Sequence, residues 1–349
     1  MKIVHFAPFG PNACGMYEAA RDMVVADHKA GHEVQFVDVG ATSEDTSKQD
    51  EPKVGVVDMR GDIQITTATP NVALDADILV FHTGVPDKWV VKTQAPIIFI
   101  LHGRPAACFA TEHKSDNYVS FSLAPILAGW PRVKKLVTFW RSHVNFWSPV
   151  VPEKKLHLID CPPIDKVRFG PEGKGYDFEG KIGKFDVVVA DTWRSDSNVY
   201  ELLNGALMAA EWLEGIKFHL FCIPNPPKNC WELLFEAFRK RDAMGVIWDR
   251  KTNMEEVYRA ADLVLSPQRI ATRSVIEPLA CGTPVIANTG CDVAPYKADM
   301  SNPFDLASAI ELVYKTPIKD VDKVVADSNA CLDQDIYSKQ INSLYREIV

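Results

Sequence analysis

Residues 262–290 constrain this chain more than any other stretch. They read Asp262-Leu-Val-Leu-Ser-Pro267-Gln-Arg269, then Arg273-Ser-Val-Ile-Glu277-Pro-Leu-Ala-Cys-Gly282-Thr-Pro-Val-Ile-Ala287. An apolar run of strand length is followed by a polar loop, a short helix carrying Arg273 and Glu277, a glycine stop and a second apolar run. That order describes a βαβ unit. In such a unit the loop leaving the first strand and the N-terminus of the helix face a ligand crevice, where the N–H groups favour anions. A nucleotide diphosphate suits such a place.

The same alternation runs through the rest of the chain. Residues 3–6 predict a strand, 16–30 a helix ended by Gly31, and 31–37 a second strand. Strands are expected over 77–81, 96–101 and 156–159, with a short hairpin from 54–58 and 63–67. The stretch 130–147 carries Trp130, Val133, Val137, Trp140, Val144 and Trp147 at steps of three and four, with Arg132, Lys134, Lys135 and Arg141 between them. One reading is a basic amphipathic helix resting on an anionic membrane or nucleic acid; the stronger one, since Lys135-Leu-Val-Thr-Phe139 reads as a strand, is a strand to about Phe139 and a helix from Ser142. Residues 171–184 are rich in glycine and charge and read as a linker. Beyond them, strands over 185–190, 217–222 and 246–248 alternate with helices over 198–213, 231–241 and 254–260. Helices are then expected near 304–314, 318–327 and 335–348. Alternation in both halves predicts an α/β fold of two doubly wound domains.

Several of these stretches resemble the GT-B glycosyltransferases, family 4 above all. Glu277 and Ala280-Cys-Gly282-Thr-Pro-Val-Ile-Ala287 match the family's donor-nucleotide segment. Gly31-His-Glu-Val34 matches the start of its second strand, and Cys161-Pro-Pro-Ile-Asp165-Lys-Val-Arg-Phe169-Gly-Pro171 is similar to its Asn-Gly-Val-Asp-x-x-x-Phe-x-Pro. The resemblance implies two Rossmann-like domains facing across a cleft. An acceptor-side domain would span 1–170, a linker 171–184 and a donor domain 185–332, with a C-terminal helix in 333–349 crossing back to the first domain. It also implies transfer from a UDP- or GDP-sugar to a hydroxyl acceptor, with retention and without metal, the nucleotide sugar serving as co-substrate in place of a cofactor.

Transfer of this kind expels a diphosphate while positive charge builds on the anomeric carbon. Guanidinium groups and a helix N-terminus can neutralise the leaving group. Arg194, Arg273 and the backbone around Thr272 and Ser274 are the candidates. The resemblance gives Glu277 the ribose hydroxyls; an i, i+4 ion pair with Arg273 is the plainer reading of the same residues. Pro278 is tolerated only near a helix start. It therefore predicts a helix beginning no earlier than about Ser274 and leaves the backbone of 270–273 to wrap a phosphate. Gly15 can let the backbone approach a ligand, or simply serve a turn. His82 and His102 each follow an apolar strand, the strand end that lines the crevice of a parallel sheet. With Arg104 they are assigned to the acceptor or sugar side, and His102 stands where the family touches the transferred sugar. Two departures stand out. The family's lysine after the arginine of the first donor-domain loop is replaced around Ser197 and Asn198. Arg269 stands where the family has a second glutamate, at the donor sugar.

Composition closes off other classes. The formal charge of −8 makes nucleic acid an unexpected general partner, although DNA bearing hydroxylated bases remains an alternative acceptor beside glycans and small molecules. A non-catalytic sugar-nucleotide binder is a further alternative. Eight scattered cysteines without a C-x-x-C pair fit neither a disulfide scaffold nor a zinc site. No apolar run approaches the ~18 residues of a membrane span. A cytoplasmic protein, with peripheral membrane contact at most, is expected.

Overall fold

The computed structural model describes residues 1–9, 15–39, 52–102, 118–119, 129–149, 151–160, 162–180, 182–190, 198–221, 228–248, 253–291, 293–316, 323–324 and 334–349. The chain forms two compact units, Met1–Ile164 with Asp333–Val349, and Asp165–Leu332.

The first unit holds β1 (Lys2–Ala7), β2 (Glu33–Asp38), a hairpin of β3 (Val57–Arg60) and β4 (Ile63–Thr66), then β5 (Ile78–Phe81). A short antiparallel pair, β6 (Val85–Pro86) and β8 (Tyr118–Val119), brackets β7 (Ile97–Ile100), and β9 (Val133–Thr138) and β10 (Leu156–Leu158) follow. Six of these make one sheet in the order β10-β9-β7-β5-β1-β2, with every neighbouring pair parallel. Helix Gly15–Lys29 joins β1 to β2. Both faces of the sheet are buried, which is why its strands read as continuous apolar runs in place of alternating ones.

Helix Gln334–Ile348 belongs to this unit although it ends the chain. Tyr337, Ile341, Leu344 and Tyr345, one stripe at helical spacing, pack among Ile78, Val80, Ile98 and Ile100.

The second unit repeats the plan. Its strands are β11 (Phe185–Ala190), β12 (Ile216–Phe221), β13 (Met244–Trp248), β14 (Leu263–Ser266), β15 (Val285–Asn288) and β16 (Tyr296–Ala298), in the order β13-β12-β11-β14-β15-β16, again parallel throughout. Helices Val199–Trp212, Lys228–Lys240, Met254–Ala260, Arg273–Ala280 and Pro303–Lys315 cover it. Residues 165–180 are held by this unit: Arg259 donates to the Gly170 carbonyl at 2.8 Å and to that of Arg168, and the buried Phe178 ring stacks on His219 with centroids 3.7 Å apart.

In both sheets the strand order reverses beside the first strand, between β1 and β5 and between β11 and β14. A crevice opens beyond the strand C-termini at such a reversal, because the two loops leaving those strands turn to opposite faces.

The continuous basic helix over 130–147 is not formed. Val133 and Val137 are buried in β9, and a separate helix, Arg141–Trp147, follows with Trp147 fully buried. Arg132 donates to the carbonyls of Val90 (3.1 Å) and Ala95 (3.2 Å), and Lys135 pairs with Glu347 at 2.9 Å, so these charges cap structure instead of lining one face. Of the helix expected over 318–327, all but residues 323–324 lies outside the described residues.

Gly205 sits at a close contact between helices Val199–Trp212 and Pro303–Lys315. A Cβ there would meet the Pro303 carbonyl oxygen at 2.8 Å and Leu306 at 3.0 Å. Alanine gains about 1 kcal/mol of helix propensity over glycine, whereas overpacking costs about 1–3 kcal/mol. Gly205→Ala is therefore expected to lower the thermal unfolding midpoint; a raised midpoint would show that the helix pair can move apart cheaply.

Candidate functional site

Each switch point gathers part of the residues singled out from the sequence. In the second unit the centre is the loop from β14 into helix Arg273–Ala280. Ser266 ends an otherwise apolar strand and is fully buried. Its hydroxyl lies 2.9 Å from that of Ser274, which in turn lies 3.1 Å from Thr272 Oγ1. Thr272 is the N-cap in extended conformation, yet its side chain does not cap the helix. Three hydroxyls thus cluster where the helix N-terminus is positive.

Helix Arg273–Ala280 starts one residue earlier than the proline predicts, and Pro278 sits well inside it. The rule of a first-turn proline fails because this helix is only eight residues long, so the proline forfeits one bond of a ladder that is already short. The stretch 270–273 is also less open than expected, since the Thr272 amide donates to the Ile270 carbonyl at 2.7 Å. The helix ends in a Schellman turn: Gly282 takes φ of +82°, the Thr283 amide donates to the Pro278 carbonyl at 2.9 Å and the Gly282 amide to that of Leu279 at 3.0 Å. The Thr283 hydroxyl then reaches the Tyr258 carbonyl at 2.5 Å, tying the turn to the neighbouring helix.

Arg273 and Glu277 form the ion pair that their spacing allows, Nε to Oε1 at 2.6 Å, with side chains 11% and 8% exposed. The Arg273 guanidinium also lies over the Phe169 ring, 5.4 Å from its centroid. Arg269 stands apart from this pair and is exposed. Its Cβ flanks Gly290, and its charge helps hold the Asp299 carboxyl below the usual range, after the hydrogen bonds from Ser301 that do most of it.

In the first unit β5 and β7 bring His82 and His102 together. His82 is fully buried and its Nδ1 lies 2.9 Å from His102 Nε2; His102 is partly exposed. Burial, then the neighbouring His102 and His5, push the His82 imidazolium well below the usual histidine range, so the ring is neutral. Gly15 opens helix Gly15–Lys29 and is exposed. Arg104 and Arg194 lie outside the described residues.

Three polar side chains in these places are not singled out by the sequence alone. Ser266 and Asn288 both end apolar strands of the second sheet, and that polar stop is the signal that marks them. His5 lies within β1 and bonds to His82, which only strand pairing reveals. Among the described residues no group of three His, Cys, Asp or Glu is placed to hold a metal ion, and no helix is long and apolar enough to cross a membrane. Cys281 and Cys291 are buried, and burial pushes the Cys281 thiol up to about 12.

An exposed i, i+4 ion pair contributes ~0.3–0.5 kcal/mol. The Arg273–Glu277 pair is nearly buried, so a double-mutant cycle with Arg273→Met and Glu277→Gln is expected to give a coupling of about 1 kcal/mol or more. Chemical denaturation measures it, and a value within the exposed range would mean that the pair is solvent-screened.

No family model matches the sequence, and no curated protein matches it. Solved structures do. A glycosyltransferase from Rickettsia africae ESF-5 aligns with 99% of this chain and 98% of its own, at TM-score 0.69 and 14% identity. Anabaena Alr3699/HepE in complex with UDP and glucose aligns over 99% of this chain and 100% of its own, at TM-score 0.70 and 13% identity. An α-glucosyltransferase in complex with UDP and a 13-mer DNA containing an HMU base aligns over 99% of both chains, at TM-score 0.63 and 13% identity. With its two six-stranded parallel sheets and these full-length likenesses, the chain has the GT-B glycosyltransferase fold.

Proposed function

We propose that the protein transfers a sugar from a nucleoside diphosphate donor, of the UDP or GDP type, to a hydroxyl acceptor. The observation that carries this reading is the cluster at the second unit's switch point, where Ser266, Thr272 and Ser274 meet at a helix N-terminus beside the Arg273–Glu277 pair. That Anabaena Alr3699/HepE and the α-glucosyltransferase were each solved in complex with UDP agrees with it.

In this reading Glu277 accepts the ribose hydroxyls, and Arg273, fixed in place by that carboxylate and by Phe169, meets the diphosphate. The hydroxyls of Thr272 and Ser274 and the Ser274 backbone add donors to the same oxygens, and Arg194, four residues beyond Ala190 in the sequence, adds a second guanidinium. Donors preorganised in this way stabilise the charge of the departing diphosphate as the sugar becomes oxocarbenium-like. Arg269 contacts the donor sugar or an extra phosphate oxygen, Gly15 lets the backbone approach the donor, and His82, His102 and Arg104 serve the acceptor or sugar side. Transfer proceeds with retention and without metal, a phosphate oxygen taking the acceptor's proton.

A second acceptor class, DNA bearing a hydroxylated base, is favoured by the likeness to the transferase solved with HMU-containing DNA. The net charge of −8 opposes it. Salt-sensitive binding of duplex DNA distinguishes the two.

A thermal-shift screen over nucleotide sugars names the donor, since a ligand at 100 times its Kd stabilises by about 2.7 kcal/mol. Binding without turnover would make the protein a sugar-nucleotide binder and not an enzyme. With the donor known, Glu277→Ala removes two charge-assisted hydrogen bonds of about 1.5–3 kcal/mol each. It is expected to lower kcat/KM by roughly 100-fold or more; unchanged kinetics would remove Glu277 from the site.

A further inference from the structure

Three adjacent strands of the first unit, β7, β5 and β1, each contribute a histidine to one face of the sheet. His5 shares its face with Ile3, two residues before it, and the register pairs His5 with Val80 and Phe81 with Phe99. His5, His82 and His102 therefore lie progressively further toward the strand C-termini. Their rings meet edge to edge. His102 Nε2 is 2.9 Å from His82 Nδ1, His82 Nε2 is 3.0 Å from His5 Nδ1, and His5 Nε2 is 2.9 Å from Asp27 Oδ2. The planes are inclined by only 26° and 23°, with centroids 5.2 Å and 5.3 Å apart, as in-line hydrogen bonding between near-coplanar rings requires. The Tyr345 hydroxyl donates to the same Asp27 oxygen at 2.8 Å. Asp27, His5, His82 and Tyr345 are completely buried, and only His102 reaches the surface.

Packing does not require this chain of polar groups. It crosses a core of Ile3, Ile78, Val80, Ile98 and Ile100, where apolar side chains would fill the space without any cost of desolvation. Its continuity from a buried carboxylate to the crevice end of β7 is what calls for a role.

We propose that Asp27, His5 and His82 form a relay that positions His102 and keeps its proton on Nε2, which makes Nδ1 an acceptor nitrogen.

Each link sets the next. The Asp27 carboxylate can only accept. Tyr345 remains a protonated donor because burial first, and Asp27 second, raise its ionisation well above the usual tyrosine range. In the relay His5 carries its proton on Nε2, toward Asp27, and accepts at Nδ1 from His82 Nε2. Neutral His82 has no second proton, so its Nδ1 accepts from His102 Nε2. Nδ1 of His102 is then an acceptor, which matches a hydroxyl donor and mismatches a phosphate oxygen. The bearing of the relay on transfer rests on the role given to His102 above, whereas the relay itself does not.

Protein labelled with ¹⁵N-histidine tests both parts separately. Long-range ¹H–¹⁵N correlations are expected to show His5, His82 and His102 protonated at Nε2 in the wild type. Asp27→Leu, which leaves His5 Nε2 with no acceptor, is expected to lose the single pattern and populate Nδ1–H at all three rings, while Tyr345→Phe leaves the pattern unchanged. Averaged tautomers at His102, Nδ1–H at His102 in the wild type, or an unchanged His102 in a folded Asp27→Leu protein would each overturn the relay. The wild-type spectrum decides even where a variant does not fold. His102→Ala is expected to lose turnover on the donor identified by the thermal-shift screen. Full turnover there, with the nitrogen pattern intact in the wild type, would overturn the ligand-facing role of His102 and leave the relay standing.

Discussion

Parallel pairing is the constraint on which the rest of this molecule depends, because two parallel strands cannot be joined by a tight turn and need a crossover of a dozen or more residues. Because all strands of a sheet run the same way, every loop that follows a strand leaves at the same end of that sheet. In the second unit that end receives the loop after β14, with Thr272 and Arg273; in the first unit the same end of its own sheet receives the residues after β5 and β7, with His82 and His102. Within each unit, residues far apart in sequence become neighbours for reasons of connection alone. The strand reversal beside β1 and beside β11 then fixes which loops part to leave a crevice.

A site at the end of a sheet needs a rigid frame, and the second unit supplies one from short-range chemistry. Gly282 in the left-handed conformation closes the helix, and Thr283 fastens the turn to Tyr258. The segment 165–180 closes the other flank: Arg168 pairs with Glu255 at 3.0 Å, Arg259 grips the Arg168 and Gly170 carbonyls, and Phe169 lies under Arg273. A Cβ on Gly173 would stand 2.8 Å from the Arg259 guanidinium, so this close wrap depends on the glycine there. Arg273 is consequently held from two sides, by Glu277 and by an aromatic face. Such holding lowers the side-chain entropy lost when a charged ligand arrives.

The first unit places its polar groups differently. Its hydrogen-bonded histidines run through the core instead of standing at the rim, and helix Gln334–Ile348 supplies the last donor through Tyr345. The end of the chain is thereby joined to residues near its beginning. Asp27, on helix Gly15–Lys29, receives hydrogen bonds from β1 and from the C-terminal helix together, so three elements meet at one carboxylate oxygen.

Much of the architecture was legible in the order of residues. Apolar runs such as Phe185–Ala190 are buried on both faces and so appear unbroken, and helix Met254–Ala260 begins and ends where its periodicity does. The matching residues from Glu277 to Ala287 pointed to the βαβ unit that the fold contains. The proline signal misled where tertiary contacts outweigh it: Pro278 lies inside its helix because packing and the Schellman turn hold so short a segment. The expected division of Val133 to Trp147 into strand and helix is formed, because β9 pairs with β7 and β10. The sequence by itself determined the alternation, the two sheets and the residues at their strand ends, since these follow from periodicity and chain connectivity. Only the tertiary structure decided that Ser266 meets Ser274, that Arg273 is held over Phe169, and that His5 and Asp27 stand behind His102, because those contacts arise from strand register and helix placement, which no local pattern encodes.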